Sequence, residues 1–180
     1  INWYTRESFL YKVFNNSLRV ATSDSIQYCR LIIKDLQSAI KYFYDLKSKN
    51  LNGLLYRGTY ISDEEWNTLL QNVGKDIQMH GFLSTSKSKK RVIDTFLDKQ
   101  GKKLFITIIV PATTHKSEQG FAEIEEYTAC KGEDEVLFNV MSKFTIIDAL
   151  EEKIEGIKRK HLILLYGIQE LKKHLKIHEP

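Results

Sequence analysis

The sequence contains few prolines, cysteines and glycines, the residues that interrupt helices, cross-link a chain or form tight turns. Among its 180 residues there are two prolines, two cysteines and nine glycines, and no Gly/Ser-rich or low-complexity segment interrupts it. Without such a segment no boundary between domains can be placed, and the length fits one ordinary domain. We therefore predict a single domain over residues 1–180, with a helical lobe over 1–52, a core over 53–166 and a C-terminal helix over 167–180.

Long apolar runs are also missing. The longest stretch, Leu104 to Ala112, is interrupted by Thr107, and it is far shorter than the roughly 20 residues that a membrane-spanning helix needs. The net charge of +4 is too small to indicate a nucleic-acid partner, for which a strongly basic face is expected. The sequence therefore predicts neither a membrane span nor binding to nucleic acid.

The two cysteines, Cys29 and Cys130, are far apart in the sequence and fit neither a disulfide framework nor a CxxC site. We expect free thiols, which favour a reducing compartment.

His174 and His178 have a helical spacing that suits a metal, but no third ligand is apparent, so we expect no metal. Localisation is left open between the cytosol and secretion or translocation, because a chain that begins at Ile1 is compatible with removal of a targeting segment.

Hydrophobic periodicity predicts helices in the first part of the chain. Apolar side chains recur at intervals of three and four over residues 25–49, which is the stripe of an amphipathic helix. They are Ile26, Cys29, Ile33, Leu36, Ile40 and Phe43. A shorter helix is predicted over 5–19. Ser62 and Glu65 form a capping-box motif, which predicts a helix that ends near Gly74, and the pattern over 88–100 predicts one more.

Other segments are short, rich in β-branched and aromatic residues and separated by turns, which is typical of strands. They cover residues 53–59, 103–110, 120–125, 135–140, 143–149 and 159–166, and one more strand is predicted to end in a turn at 84–86. Few helices lie between the later strands, so antiparallel pairing is favoured. We therefore predict the α+β class.

Three short motifs lie where an apolar run meets a polar turn. Arg57 ends the first strand, and it is either half of a structural ion pair or a planar guanidinium that holds a diphosphate. Ser84-Thr85-Ser86, taken alone, is typical of a turn. Glu133 and Glu135 share one face where a strand begins. They either belong to a solvated turn or stabilise the oxocarbenium-like cation that forms when a glycosidic bond breaks.

In this order the motifs resemble the arginine, serine, Glu-x-Glu signature of arginine-specific mono-ADP-ribosyltransferases of the cholera-toxin-like and ecto-enzyme type. These enzymes split NAD and transfer its ADP-ribose to a protein. The resemblance implies a helical lobe followed by two packed, mainly antiparallel sheets that form an NAD cleft. It also implies two overlapping sets of residues. Those that bind NAD would be Arg57, Gly58, Ser84, Thr85, Ser86 and Glu135, and those that are catalytic would be Arg57, Ser84, Glu133 and Glu135.

The same resemblance assigns roles to single residues. Glu135 would hold the nicotinamide ribose and stabilise the cation, Ser84 would orient Glu135, and Glu133 would prepare an acceptor guanidinium. Tyr127, Cys130 and Glu133 would recognise the target. Relatives that modify other residue types often carry glutamine where this chain has Glu133, so arginine is the favoured acceptor. The expected partners are NAD, as a substrate, and a target protein with an exposed arginine, and NAD hydrolysis is the expected side reaction.

Two other functions stay open, because they use the same cation or the same binding residues. One is an NAD glycohydrolase, such as a toxin that depletes the cofactor. The other is a degenerate domain that keeps NAD or ADP-ribose binding and serves as an interaction module. The ratio of products formed in the presence of an arginine analogue separates transfer from hydrolysis.

Overall fold

The computed structural model describes residues 1, 4, 23–48, 50–97, 103–112, 120–128, 132, 134–154 and 156–167. The helix predicted over 5–19 and residues 168–180 of the predicted C-terminal helix lie outside these ranges. Cys130 and Glu133 also lie outside them. No helix within the ranges is both long enough and apolar enough to cross a bilayer.

Helices come first in the described residues and strands dominate afterwards. The three α-helices in these ranges are α1 (Ser23–Phe43), α2 (Asp63–Leu70) and α3 (Lys89–Val92). Helices α1 and α3 continue as π-helical turns over Tyr44–Ser48 and Ile93–Leu97, and a 3-10 turn covers Glu125–Tyr127. The eight strands of the same ranges are β1 (Gly53–Tyr60), β2 (Asp76–Met79), β3 (Leu83–Ser86), β4 (Lys103–Val110), β5 (Phe121–Glu123), β6 (Glu135–Phe138), β7 (Ser142–Ile154) and β8 (Ile157–Tyr166). The predicted α+β class is confirmed.

The element bounds agree with the sequence pattern in most places and differ in a few. Strand β4 has the predicted bounds, and α1 begins two residues before the predicted start. The residues 84–86 lie inside β3, so the turn predicted there is wrong. Strand β2 had no counterpart in the prediction. The pairs β1/β4, β3/β6, β5/β6 and β7/β8 are antiparallel, as expected, whereas β4 and β8 are parallel. A parallel pair requires a long connection, and here the chain between β4 and β8 is long enough.

The chain divides into two compact units, of which the first consists of Ile1–Leu51, Met79–Ser88 and Gln119–Ser142. Strand β6 lies between β3 and β5 in this unit, with Phe138 opposite both Leu83 and Phe121. The apolar face of α1 packs against these strands through Leu36 and Ile40, which are buried in one cluster with Ile124 and Leu137. The amphipathic stripe of α1 therefore supports the strand that begins at Glu135.

A buried hydroxyl fixes the end of this helix to the strands. Ser48 closes the π-helical turn after α1, and its Oγ accepts the backbone N–H of Glu123 in β5 at 2.9 Å. Next to it, Lys47 forms a 3.2 Å ion pair with Glu126. The helical and β parts of the first unit are thus joined by polar contacts as well as by the apolar cluster.

The second unit consists of Asn52–Gln78, Lys89–Glu118 and Lys143–Pro180. Its strands follow the order β2, β7, β8, β4, β1. Strand β4 is buried along most of its length, and its Phe105 stacks on Tyr56 of β1 with ring centroids 5.9 Å apart. Helix α2 begins with the predicted capping box, in which Ser62 and Glu65 each accept the other's backbone N–H.

A buried histidine lies in this second unit. His161 of β8 contacts Glu152 of β7 through Nδ1 at 2.5 Å and Thr107 of β4 through Nε2 at 2.9 Å. Burial lowers the pKa of His161 below the ordinary value of 6.5, and the carboxylate of Glu152 only partly offsets this effect. The cation of Lys89 lowers this pKa further. The neutral imidazole is therefore the form that the fold favours.

Candidate active site

The centre of the candidate site is a hydrogen bond between two strands of the first unit. The hydroxyl of Ser84 in β3 donates to Oε1 of Glu135 in β6 at 2.6 Å. In the register of the two strands Ser86 lies opposite Glu135 and Ser84 lies opposite Leu137, so the bond runs diagonally across the pair. Glu135 is only 5% exposed. A buried carboxylate whose orientation is set by a hydroxyl is suited to stabilising a cation that forms beside it.

The two residues after Ser84 hold the strand and its end. The hydroxyl of Thr85 is buried and donates to the carbonyl of Val136 at 2.8 Å. The hydroxyl of Ser86 accepts the N–H of Ser88 at 3.0 Å, which closes the turn after β3. These contacts agree with a role for both residues in shaping the strand end.

The residues just before Glu135 are held by a second set of contacts. The carboxylate of Glu125, on the 3-10 turn, accepts the backbone N–H groups of Gly132 and of Glu135, the latter at 3.3 Å. The carbonyl of Asp134 accepts the N–H of Lys87 at 3.1 Å. Gly132 and Asp134 both have left-handed backbones, with φ values of 80° and 47°. The segment that leads into β6 is therefore a shaped turn.

Tyr127, predicted to recognise the target, packs on the end of helix α1. Its ring lies 4.3 Å from that of Phe43, and the ammonium of Lys47 lies 5.1 Å from the Tyr127 ring centre. The side chain keeps 37% of its surface exposed. Cys130 and Glu133, the other two residues predicted for target recognition, are outside the part of the chain that the structure describes.

Arg57 and Gly58 lie on β1, in the second unit. The predicted strand is present, but Arg57 lies inside it rather than at its end, because β1 continues to Tyr60. Arg57 is half-buried and pairs with Ile106 of β4, and Gly58 is buried opposite Phe105. Among the described residues, no group of three or more His, Cys, Asp or Glu side chains is placed to hold a metal ion. The structure thus joins Ser84 to Glu135 directly, whereas Arg57 is placed by a different pair of strands.

Sequence reasoning missed one residue of the site, Glu125. Its carboxylate contacts the segment that leads to Glu135, ten positions further along the chain. An acidic pair such as Glu125-Glu126 is typical of a solvated turn, so nothing in the pattern distinguishes the two side chains. Only the folded turn shows that the two side chains have different partners, because Glu126 binds Lys47 whereas Glu125 binds backbone N–H groups.

Comparison with known proteins gives a match to one protein family. Residues 1–170 match the model of the ADP-ribosyltransferase exoenzyme family. The chain belongs to this family. Members of the ADP-ribosyltransferase exoenzyme family use NAD as their substrate, as the motifs predicted. No curated protein sequence matches the chain.

Solved ADP-ribosyltransferases share the fold of this family member at low sequence identity. HopU1 of Pseudomonas syringae pv. Tomato is 20% identical with a TM-score of 0.67, and the match covers 87% of this chain and 65% of that chain. The C3 exoenzyme of Clostridium limosum is 18% identical with a TM-score of 0.65, covering 92% and 82%. Vis, solved in complex with agmatine, is 21% identical with a TM-score of 0.59, covering 89% and 69%; its source is Vibrio splendidus. The chain thus spans slightly less than two thirds of HopU1 and has the α+β fold of ADP-ribosyltransferases.

Proposed function

We propose that the chain transfers ADP-ribose from NAD to an arginine side chain of a target protein and releases nicotinamide, with NAD hydrolysis as a side reaction. The observation that carries the proposal is the 2.6 Å hydrogen bond from Ser84 to the buried carboxylate of Glu135. Membership of the family supports the class of reaction, and this bond supports separate roles for the two residues.

In the first step, the bond between the ribose C1′ and the nicotinamide nitrogen breaks, and its electron pair leaves with nicotinamide. The carboxylate of Glu135 stabilises the cation that forms on the ribose, and its second oxygen accepts a hydrogen bond from the 2′-hydroxyl. Ser84 keeps Glu135 in the required orientation. Because the hydrogen bond between them is already formed, no free energy is spent on orienting the carboxylate during the reaction. Arg57 binds the NAD diphosphate, the backbone at Gly58 binds the nicotinamide carboxamide, and Thr85 and Ser86 shape the strand end beside the cofactor.

In the second step, a guanidinium nitrogen of the acceptor attacks C1′ and loses a proton. Glu133 is the proposed base for that proton, and Tyr127 and Cys130 are proposed to contact the target around the acceptor. Two observations favour arginine as acceptor. The chain carries glutamate at position 133, and the related fold of Vis is known in complex with agmatine, a small molecule that carries the guanidinium group of arginine.

The partners follow from this chemistry. They are NAD and a target protein with an exposed arginine, and no metal is needed, because the cation is met by carboxylates and the leaving group needs no Lewis acid. Exoenzymes act outside the cell that makes them, so we propose a toxin or effector that is secreted or translocated.

The test is to incubate the purified chain with NAD and agmatine, and to measure released nicotinamide and ADP-ribosylated agmatine in the same samples. Formation of both products, unchanged by EDTA, supports the proposal. Release of nicotinamide with no adduct on agmatine, and no modified arginine in a cell lysate, would indicate an NAD glycohydrolase instead. Binding of NAD without nicotinamide release would indicate an interaction module.

A further inference from the structure

The segment that leads into β6 is tied to the 3-10 turn by one side chain. Both oxygens of the Glu125 carboxylate are used, because Oε1 accepts the N–H of Gly132 and Oε2 accepts the N–H of Glu135 at 3.3 Å. The turn itself is tied to the same strand through the backbone, since the N–H of Ile124 donates to the carbonyl of Glu135 at 2.9 Å. Hydrogen bonds to a carboxylate are among the stronger ones in proteins.

The backbone of this segment needs such support. Asp134 has a φ of 47° and Gly132 a φ of 80°, and the left-handed region is unfavourable for a residue with a side chain unless the surroundings hold it there. The carbonyl of Asp134 is held by the N–H of Lys87, and Glu125 holds the N–H groups on both sides of it. Gly132 is also the immediate neighbour of Glu133 in the sequence.

We propose that Glu125 is a positioning residue for the acceptor half of the reaction. It sets the conformation of Gly132 and of the start of β6, and thereby the direction in which the Glu-x-Glu motif meets the acceptor. This inference rests on the proposed function. Glu125 acts through the backbone on which the motif is carried.

Glu125 affects the two catalytic glutamates unequally. Glu135 has further contacts besides Glu125, because the hydroxyl of Ser84 donates to its side chain and its backbone pairs with Ser86 of β3. The strand that follows it is also paired with β5. Gly132 precedes the strand and lies outside that pairing. Loss of the Glu125 carboxylate therefore weakens transfer to an acceptor more than it weakens NAD cleavage.

The test uses three variants of the full chain. Glu125→Ala removes both acceptors, and Glu125→Gln keeps one acceptor oxygen and replaces the other with a donor. Glu126→Gln is the matched control, because Glu126 lies on the same turn and its carboxylate pairs with Lys47 at the surface. For each variant, amide hydrogen exchange of Gly132 and Glu135, nicotinamide release from NAD and ADP-ribosylation of agmatine are measured.

In Glu125→Ala we expect faster exchange of the Gly132 amide and transfer to agmatine reduced by roughly tenfold to a hundredfold, the range that small misplacements of reacting groups produce. Nicotinamide release without acceptor should fall by less than about threefold. Glu125→Gln should recover part of the transfer, and Glu126→Gln should match the parent chain in all three measurements.

Three results would overturn the inference. Unchanged exchange at Gly132 in both Glu125 variants would remove the contact on which it rests. Faster exchange with unaltered transfer would remove the positioning role, and an equal fall of both activities would assign Glu125 to general stability. If the parent chain cleaves no NAD, the proposed function fails, and hydrogen exchange alone then decides whether Glu125 holds the segment. If Glu125→Ala does not fold, Glu125→Gln is judged by the same criteria.

Discussion

Replacing Ser84 with alanine should slow NAD cleavage without weakening NAD binding to a similar extent. The substitution removes the 2.6 Å hydrogen bond to Glu135, whereas the backbone of Ser84 stays in the β3/β6 pair opposite Leu137. Glu135 remains in its buried strand, but its carboxylate loses the contact that fixes its rotation.

The size of the effect follows from the kind of bond and from its exposure. A hydrogen bond to a charged group contributes about 1.5 to 3 kcal/mol, and about 1.4 kcal/mol corresponds to a tenfold change in rate. Ser84 is half-buried, so a water molecule can replace part of the lost contact. We therefore expect kcat for nicotinamide release to fall by roughly tenfold to thirtyfold, with KM for NAD changed by less than about threefold.

Single-turnover release of nicotinamide, measured beside a binding titration with NAD, separates the two constants. Thr145→Val is a matched control, since it removes another hydroxyl that donates to a carboxylate, that of Asp76 at 3.1 Å, in the second unit. The control should lose stability but keep its rate. A folded Ser84→Ala variant with unaltered kcat, or one in which KM alone rises, would refute an orienting role for Ser84.

Three further predictions concern other charged groups. Arg57→Ala should weaken NAD binding by about 1.5 to 3 kcal/mol with only partial recovery in Arg57→Lys, measured by calorimetric titration; unchanged affinity would make Arg57 structural. Glu135→Gln should reduce both nicotinamide release and transfer by about a hundredfold or more. Glu133→Gln should lose transfer and keep NAD hydrolysis. Equal losses of both activities in Glu133→Gln would contradict the role of Glu133 as base. Because the pKa of His161 is below 6.5 in the fold, the stability due to its neutral form is present above pH 6.5 and is lost as pH falls through the folded pKa. In urea unfolding between pH 7 and 5, the free energy of unfolding should therefore fall less steeply with pH in His161→Gln than in the parent chain. Identical pH dependence of the two free energies would argue against this origin.

Local rules made most of the fold predictable. The stripe of α1 predicted a helix whose Leu36 and Ile40 are buried, and the capping box at Ser62 has the expected reciprocal bonds. Strand β4 is almost wholly apolar and could be bounded from its composition. The prediction was poorer for strand β2, whose alternation of polar and apolar residues extends over only four positions. It was also poorer for the parallel pairing of β4 with β8, because no local pattern specifies which strands pair.

The candidate site was predictable in its residue types and only partly in its contacts. Ser84 and Glu135 are separated by more than fifty positions, yet each stands at the polar end of an apolar run, and this position made them recognisable together with Arg57. Glu125 could not be recognised in this way. Its role depends on a 3-10 turn and on two left-handed residues, and these arise from contacts across the turn rather than from the preferences of single residues.

Strand β6 and the residues before it are held in place in different ways, and this bears on how the two chemical steps are controlled. The carboxylate proposed to stabilise the cation begins a strand that is buried throughout, paired on both sides and supported from below by helix α1 through Leu137. Packing of this kind allows few alternative positions, which suits a group that must meet a developing charge within a few tenths of an ångström. The residues that precede the strand are held by individual hydrogen bonds, such as those of Glu125, so substitutions there can move the acceptor contacts while the strand stays fixed. We therefore expect variants in the turn to change which acceptor is modified, and variants in the strand to change whether NAD is cleaved at all.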